Sequence, residues 1–188
     1  MEKNILKEIV MFVEQESLKN NRGYHKEWMR HLNIVSTNAL EIADKLGGDK
    51  DIVFLAAWLH DIGKIMYGKE NHHITGAEIA ERKLRELNFP KDKIREVKHC
   101  ILSHRGSKNI KRETLEAQIV ADADAMAHFE GVEDLVKAEF VLGGVSSESQ
   151  AYQLVHEKLI RSWNKLSPEG KSFAEIKYHA VLNNLNLK

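Results

Sequence analysis

Apolar residues recur along this chain at intervals of three and four, the period of a helix that buries one face. Residues 3–19 carry Ile5, Ile9, Phe12, Val13 and Leu18 in that register, and the polar stretch Lys19 to Gly23 interrupts it. A second amphipathic helix is predicted from about Tyr24 to Leu46, with Trp28, Leu32, Val35, Ala39, Ile42, Ala43 and Leu46 as its buried stripe. Gly47-Gly48 stops it. The next segment has no polar face: Ile52 to Leu59 is wholly apolar, capped by Asp49 or Asp51, and it ends in His60-Asp61-Ile62-Gly63-Lys64.

After a loop expected over Ile65–Asn71, helices are predicted at 72–88, 92–104, 114–129 and 132–142, the last either continuing its predecessor or starting anew. Asn88-Phe89-Pro90 and Arg105-Gly106-Ser107 close two of them, and Gly143-Gly144 marks a turn. Two final helices are expected at about 147–165 and 168–186, with Pro168 opening the second. Strand-type alternation is missing, so the expected fold is all-α, a bundle of about seven to nine helices. At 188 residues the chain suits one domain with a full core.

Composition narrows the function. Lys plus Arg and Asp plus Glu both number 28, and this balance argues against nucleic-acid binding by bulk charge. The single cysteine, Cys100, excludes a disulfide framework and a cysteine-rich zinc site. Glu2, Lys3, Lys7 and Glu8 at the N-terminus are unlike a signal peptide, and no apolar run reaches membrane-spanning length. A cytoplasmic protein is expected, without a membrane partner. Ten histidines are many for this length, and several interrupt apolar stripes.

His60 and Asp61, side by side at the end of an apolar helix, are costly to bury unless something pairs with them, and together they offer a metal one nitrogen and one or two oxygens. Gly63 is expected to turn the backbone away, and Lys64 leaves a cation for an anionic substrate. His31 sits within the Trp28–Val35 stripe, His104 ends a helix, His72 and His73 open one, and Asp122 and Asp124 interrupt the run around Ile119. If the helices flanking Gly47-Gly48 fold back antiparallel, His31 and His60 lie about 17 and 12 residues from the turn. Their heights then differ by about 7 Å, which tilt and side-chain reach can close. Asp122 and Asp124 stand about 200° apart on a helix, so one faces the site and the other faces away or caps something. Arg105 and Lys108 are candidate phosphate contacts.

His31, the string His60-Asp61-Ile62-Gly63-Lys64 and an aspartate in Ile119–Asp124 together resemble the HD superfamily of metal-dependent phosphohydrolases over about residues 24–130. The resemblance implies His31, His60, Asp61 and Asp124 as metal ligands, with Asp122 as the alternate to Asp124. Some members hold a second metal through two more histidines, which implies His72, four residues ahead of Gly76-Ala77, and His104, with His99 a weaker candidate and Asp61 as the bridge. The wording around Thr114–Asp124 is similar to a subgroup acting on small phosphorylated metabolites, nucleotides among them; Ala125 departs from it where a basic residue is common, and His128 lies nearby.

The implied activity is hydrolysis of a phosphate ester or anhydride by a metal-bound hydroxide. Asp61 and Lys64 would act in catalysis, Lys64 and Arg105 on the substrate phosphate, and Mn, Fe, Co, Ni or Zn as one or two ions. Two rivals stand beside it. One is a catalytically silent nucleotide-sensing or partner-binding module. The other is a di-iron carboxylate bundle using Glu70-x-x-His73 and Glu96-x-x-His99. Residues 132–188 are an extension that can equally be a lid, a brace or the surface of a homo-oligomer.

Overall fold

The computed structural model describes residues 3–20, 23–106, 108 and 110–185. Of the positions used above, Glu2, Asn21, Arg22, Ser107 and Asn186 lie outside the described residues. Among the described residues the chain is all-helical: α1 (Lys3–Lys19), α2 (His25–Leu46), α3 (Lys50–Leu59), α4 (Ile62–Tyr67), α5 (His72–Glu86), α6 (Lys91–Ser103), α7 (Leu115–Glu130), α8 (Val132–Val141), α9 (Glu148–Lys165) and α10 (Pro168–Leu185). None of these helices is long and apolar enough to cross a membrane.

The apolar stripes go where their period sends them. The α2 face of Trp28, Leu32, Val35, Ala39, Ile42 and Ala43 is buried against α3 and α7. Gly47 takes a left-handed φ of 83° and its N–H closes on the Ala43 carbonyl, which ends α2 without a Cβ clash. Of the two candidate caps for α3, Asp49 is the one used: its side chain accepts from the N–H groups of Asp51 and Ile52.

At the centre lies α7, which contacts α2, α3, α6, α9 and α10. It is buried nearly all round, as a helix without a polar face must be. Ala117, Ala121, Ala123, Ala125 and Ala127 keep its surface low, so neighbouring helices approach closely. Gly131 separates α7 from α8, so residues 132–142 begin a new helix rather than continue the old one.

The expected loop over 65–71 is corrected. The helix α4 continues to Tyr67, held by the Ile65 N–H on the Asp61 carbonyl and by the Gly68 N–H on that of Lys64, and the turn starts only at Gly68, with φ 95°. Burial of Ile62 and Ile65 explains the extra turn of helix. Gly63 is corrected too: it lies inside α4 and does not turn the chain. A Cβ there would meet Thr75 Oγ1 at 2.5 Å and Gly76 N at 2.7 Å, with the His72 carbonyl nearer still, so this glycine lets α5 dock against α4.

Candidate metal centre

His60 is the C-cap of α3 and Asp61 the N-cap of α4, so the break between two buried helices presents both side chains to the interior. Three histidines there share one local device. His60 Nδ1 lies 2.7 Å from the Ala57 carbonyl, His72 Nδ1 2.8 Å from that of Lys69, and His104 Nδ1 2.6 Å from that of Ile101. A carbonyl only accepts, so each Nδ1 carries the proton and donates it three residues back. Each ring therefore turns Nε2 inward, the atom that carries the lone pair when the imidazole is neutral.

Those lone pairs converge with two carboxylates. Asp124 Oδ1 lies 3.6 Å from both His31 Nε2 and His60 Nε2. Asp61 Oδ1 lies 3.2 Å from His72 Nε2 and 3.9 Å from His104 Nε2, while its Oδ2 faces His60 Nε2 at 3.8 Å. Two groups of possible ligands result, His31–His60–Asp124 and Asp61–His72–His104, with the donor atoms of each within 4.8 Å of one another. Asp61 stands between them.

A cation fits this arrangement on electrostatic grounds. The Nε2 atoms of His72 and His104 are 3.3 Å apart, and with both Nδ1 positions protonated two lone pairs face each other. His60 Nε2 is buried without a hydrogen-bond partner among the described residues. Divalent metals bind such neutral imidazoles and carboxylates, and a backbone carbonyl on the other ring nitrogen is the usual means of orienting them.

The surrounding charges hold the carboxylates ionised. Burial would raise the Asp61 carboxyl, but Lys64 and the His60 ring overcome it and keep it well below the usual range. Asp124 is likewise held low against burial, by Lys165 and His128. Burial, with the His60 ring, pushes His104 down to about 3, so that ring is neutral and free to ligate.

Sequence expectation and structure meet residue by residue. His31, His60, Asp61, Asp124, His72 and His104 come together. Asp122 does not join them: it accepts from Gln118 Nε2 at 3.0 Å, the Ser167 N–H at 3.0 Å and the Ser167 hydroxyl at 2.6 Å, and so holds the serine whose oxygen accepts the Gly170 N–H at the start of α10. His73 turns aside and accepts from Arg105 at 3.5 Å, and His99 Nε2 accepts the Glu113 N–H at 2.9 Å, away from the centre. Glu70 is exposed and neither Glu70 nor Glu96 belongs to either ligand group, so the Glu-x-x-His reading has no site here.

Lys64 contacts Asp61 Oδ2 at 3.1 Å and lies over the Trp28 ring at 4.6 Å. Both Lys64 and Arg105 line a cavity of about 600 Å³ over the two groups, whereas Lys108 does not.

Several lining residues were given no role by the sequence reading. His128, one helical turn beyond Asp124, stacks on His31 with ring centroids 5.8 Å apart and points Nε2 at Asp124 Oδ1, 3.7 Å away. From α9 come Lys158, Arg161 and Lys165, the last holding Asp124 Oδ2 at 2.7 Å. Their spacing of three and four was visible, but charged residues at that spacing are the ordinary solvated face of a helix.

With the geometry in place, the chain can be set beside known proteins. The sequence pattern of the HD domain matches residues 28–128, from the helix bearing His31 to just past Asp124. The chain belongs to the HD domain family. The fold agrees over the full length. A solved HD-superfamily hydrolase from Bacillus thuringiensis superposes with a TM-score of 0.72 at 19% identity, covering 100% of this chain and 96% of that one. A protein of Lactobacillus plantarum gives 0.74 at 18% identity, covering 98% and 95%. Among curated proteins, ribonuclease Y of Alkaliphilus metalliredigens is 34% identical over 112 residues, 58% of this HD protein but only 22% of the ribonuclease. An uncharacterized protein of Clostridium beijerinckii is 29% identical over 98 residues, which is 50% of this chain and 62% of that one. The chain thus spans less than two thirds of the length of these curated relatives.

Proposed function

We propose that this HD domain is a metal-dependent phosphohydrolase acting on a small phosphorylated metabolite, in particular a nucleotide. The observation that supports it is the inward set of Nε2 lone pairs on His60, His72 and His104, met by Asp61 and Asp124 beneath a cationic cleft. His31, His60, Asp61 and Asp124 would hold one divalent ion, and Asp61, His72 and His104 a second. The mixed His/Asp set suits Mn, Fe, Co, Ni or Zn better than calcium. Such an ion lowers the pKa of water from 15.7 towards about 7 and polarises a phosphoryl oxygen.

The chain's own groups would do the rest. Lys64 and Arg105 line the cleft and would bind phosphoryl oxygens, offsetting the charge that develops on them during cleavage. Asp61, held ionised by Lys64, would stay an acceptor throughout. We take residues 1–188 as one working unit, because α9 lines the same cavity as the ligand groups.

A screen of nucleoside mono-, di- and triphosphates with each of these metals tests the proposal. Phosphate release is expected with at least one pair, and Asp61→Ala is expected to lower it by more than about 100-fold. Near-normal activity in that variant would overturn the assignment. A purified protein without metal, and without gain on adding manganese, would favour the silent binding module instead.

A further inference from the structure

The helix α9 lies outside the segment that matches the family pattern, yet it forms one wall of the cleft. Lys158, Arg161 and Lys165 fall at i, i+3 and i+7 and so share a face, and all three line the cavity. They are not equally engaged. Lys165 is paired with Asp124 at 2.7 Å. Arg161 faces Glu157 at 3.6 Å from an exposed position. The Lys158 ammonium has neither a hydrogen bond nor an ion pair among the described residues, although burial and the charge of Lys64 pull it down to about 8. An ammonium group with three donors and no acceptor in such a place is unfavourable unless an anion joins it.

Charge around the cleft shows how large that anion must be. Seven lining side chains are Lys or Arg and two are Asp, in a chain whose formal net charge is zero. Lys64 and Lys165 answer the two aspartates and Glu157 faces Arg161, which leaves four cations, Lys69, Arg105, Arg112 and Lys158. A single phosphoryl group carries about two charges at neutral pH. It can answer the groups over the metal ligands, but not the α9 face as well.

The two regions are also tied together. The Ser162 hydroxyl donates to the Lys158 carbonyl at 2.9 Å, so it accepts from His128 Nδ1 at 2.8 Å, and His128 stacks on His31. This chain of contacts sets α9 at a fixed distance from the ligand groups.

We propose that α9 carries a second anion subsite, headed by Lys158 with Arg161, which holds a phosphoryl group other than the one cleaved. The substrate class is then a compound with two or more linked phosphoryl groups. This inference rests on the phosphohydrolase reading for its meaning, but its test does not require turnover.

Calorimetric titration of the full chain, as purified and again after metal removal, with inorganic tripolyphosphate and with orthophosphate, decides it. Tripolyphosphate is expected to bind at least about 10-fold more tightly than orthophosphate. Lys158→Met should weaken tripolyphosphate by about 10-fold and orthophosphate by less than about 2-fold. Arg161→Met, at an exposed position, should shift the same ratio in the same direction and serves if the first variant does not fold. No preference for tripolyphosphate in the wild type, or an equal effect of the substitutions on both anions, would overturn the subsite. If the binding pattern holds but no phosphorylated compound is hydrolysed, the subsite stands and the hydrolase assignment falls.

Discussion

Asp122 and Asp124 show how much two residues of separation decide on a helix. Both are buried, and both were candidate ligands by type. Rotation by about 200° sends Asp124 to the histidines and Asp122 to the first turn of α10. Their losses should therefore differ in kind. Asp122→Ala strands the Ser167 N–H and hydroxyl, so a destabilisation of about 1–3 kcal/mol is expected, with metal content unchanged. Asp124→Asn should reduce bound metal instead. Thermal melts paired with elemental analysis distinguish the two; loss of metal in the Asp122 variant alone would reverse the roles. The histidines repeat the lesson, since His72 and His73 are neighbours and only His72 reaches the ligand groups.

Elements place those residues through their ends. The break between α3 and α4 presents His60 and Asp61, and the capping of α3 fixes where that helix begins. Asp49 caps it while also holding Lys93 at 2.7 Å. Burial would raise its carboxyl, but Lys93 and the Ile52 and Asp51 N–H groups lower it below the ordinary value. A folded pKa below the unfolded one gives stability that is present above the unfolded pKa of about 3.9 and is lost as pH falls through the folded value. Asp49→Ala should therefore cost about 1 kcal/mol at pH 7 and at pH 5. Chemical denaturation should show that difference shrinking below about pH 4. A difference that grew on acidification would contradict the assignment of the cap. At this scale the sequence was legible where apolar period and stop signals agreed, as in α2 and α3. It was not in the six-residue helix α4, which contains one glycine and stops at another, and whose burial comes from its neighbours.

For the whole molecule, the consequence is that six elements meet at one polar centre: α2, the α3–α4 break, α5, α6 and α7 bring the ligand groups, and α9 closes over them. A cation there would join these helices in the folded chain and not in the unfolded one. Manganese at about 100 times its Kd is expected to stabilise the fold by about 2.7 kcal/mol. For a chain of this size that is a rise in Tm of about 5–10 °C. Scanning fluorimetry measures it, and His60→Ala should abolish the rise. An unchanged Tm in the wild type across the transition metals would remove the metal centre from consideration.

What the sequence determined by itself is what period and residue type can carry. Hydrophobic spacing marked out the helices, and histidines and aspartates inside apolar stripes or at helix ends pointed to His31, His60, Asp61, His104, one of His72 and His73, and one of Asp122 and Asp124, because burying them needs a partner. The resemblance to the HD superfamily favoured His72 and Asp124. The tertiary structure alone decided which atom of each side chain faces inward, that Asp122 holds the capping Ser167 of α10, that Gly63 serves close docking, and that α9 is a wall of the cleft. Lysines and arginines on an outer helix look alike in sequence whether they meet water or a cavity. Only the packing of α9 on α7 turns Lys158, Arg161 and Lys165 from a solvated face into the cationic wall of the cleft.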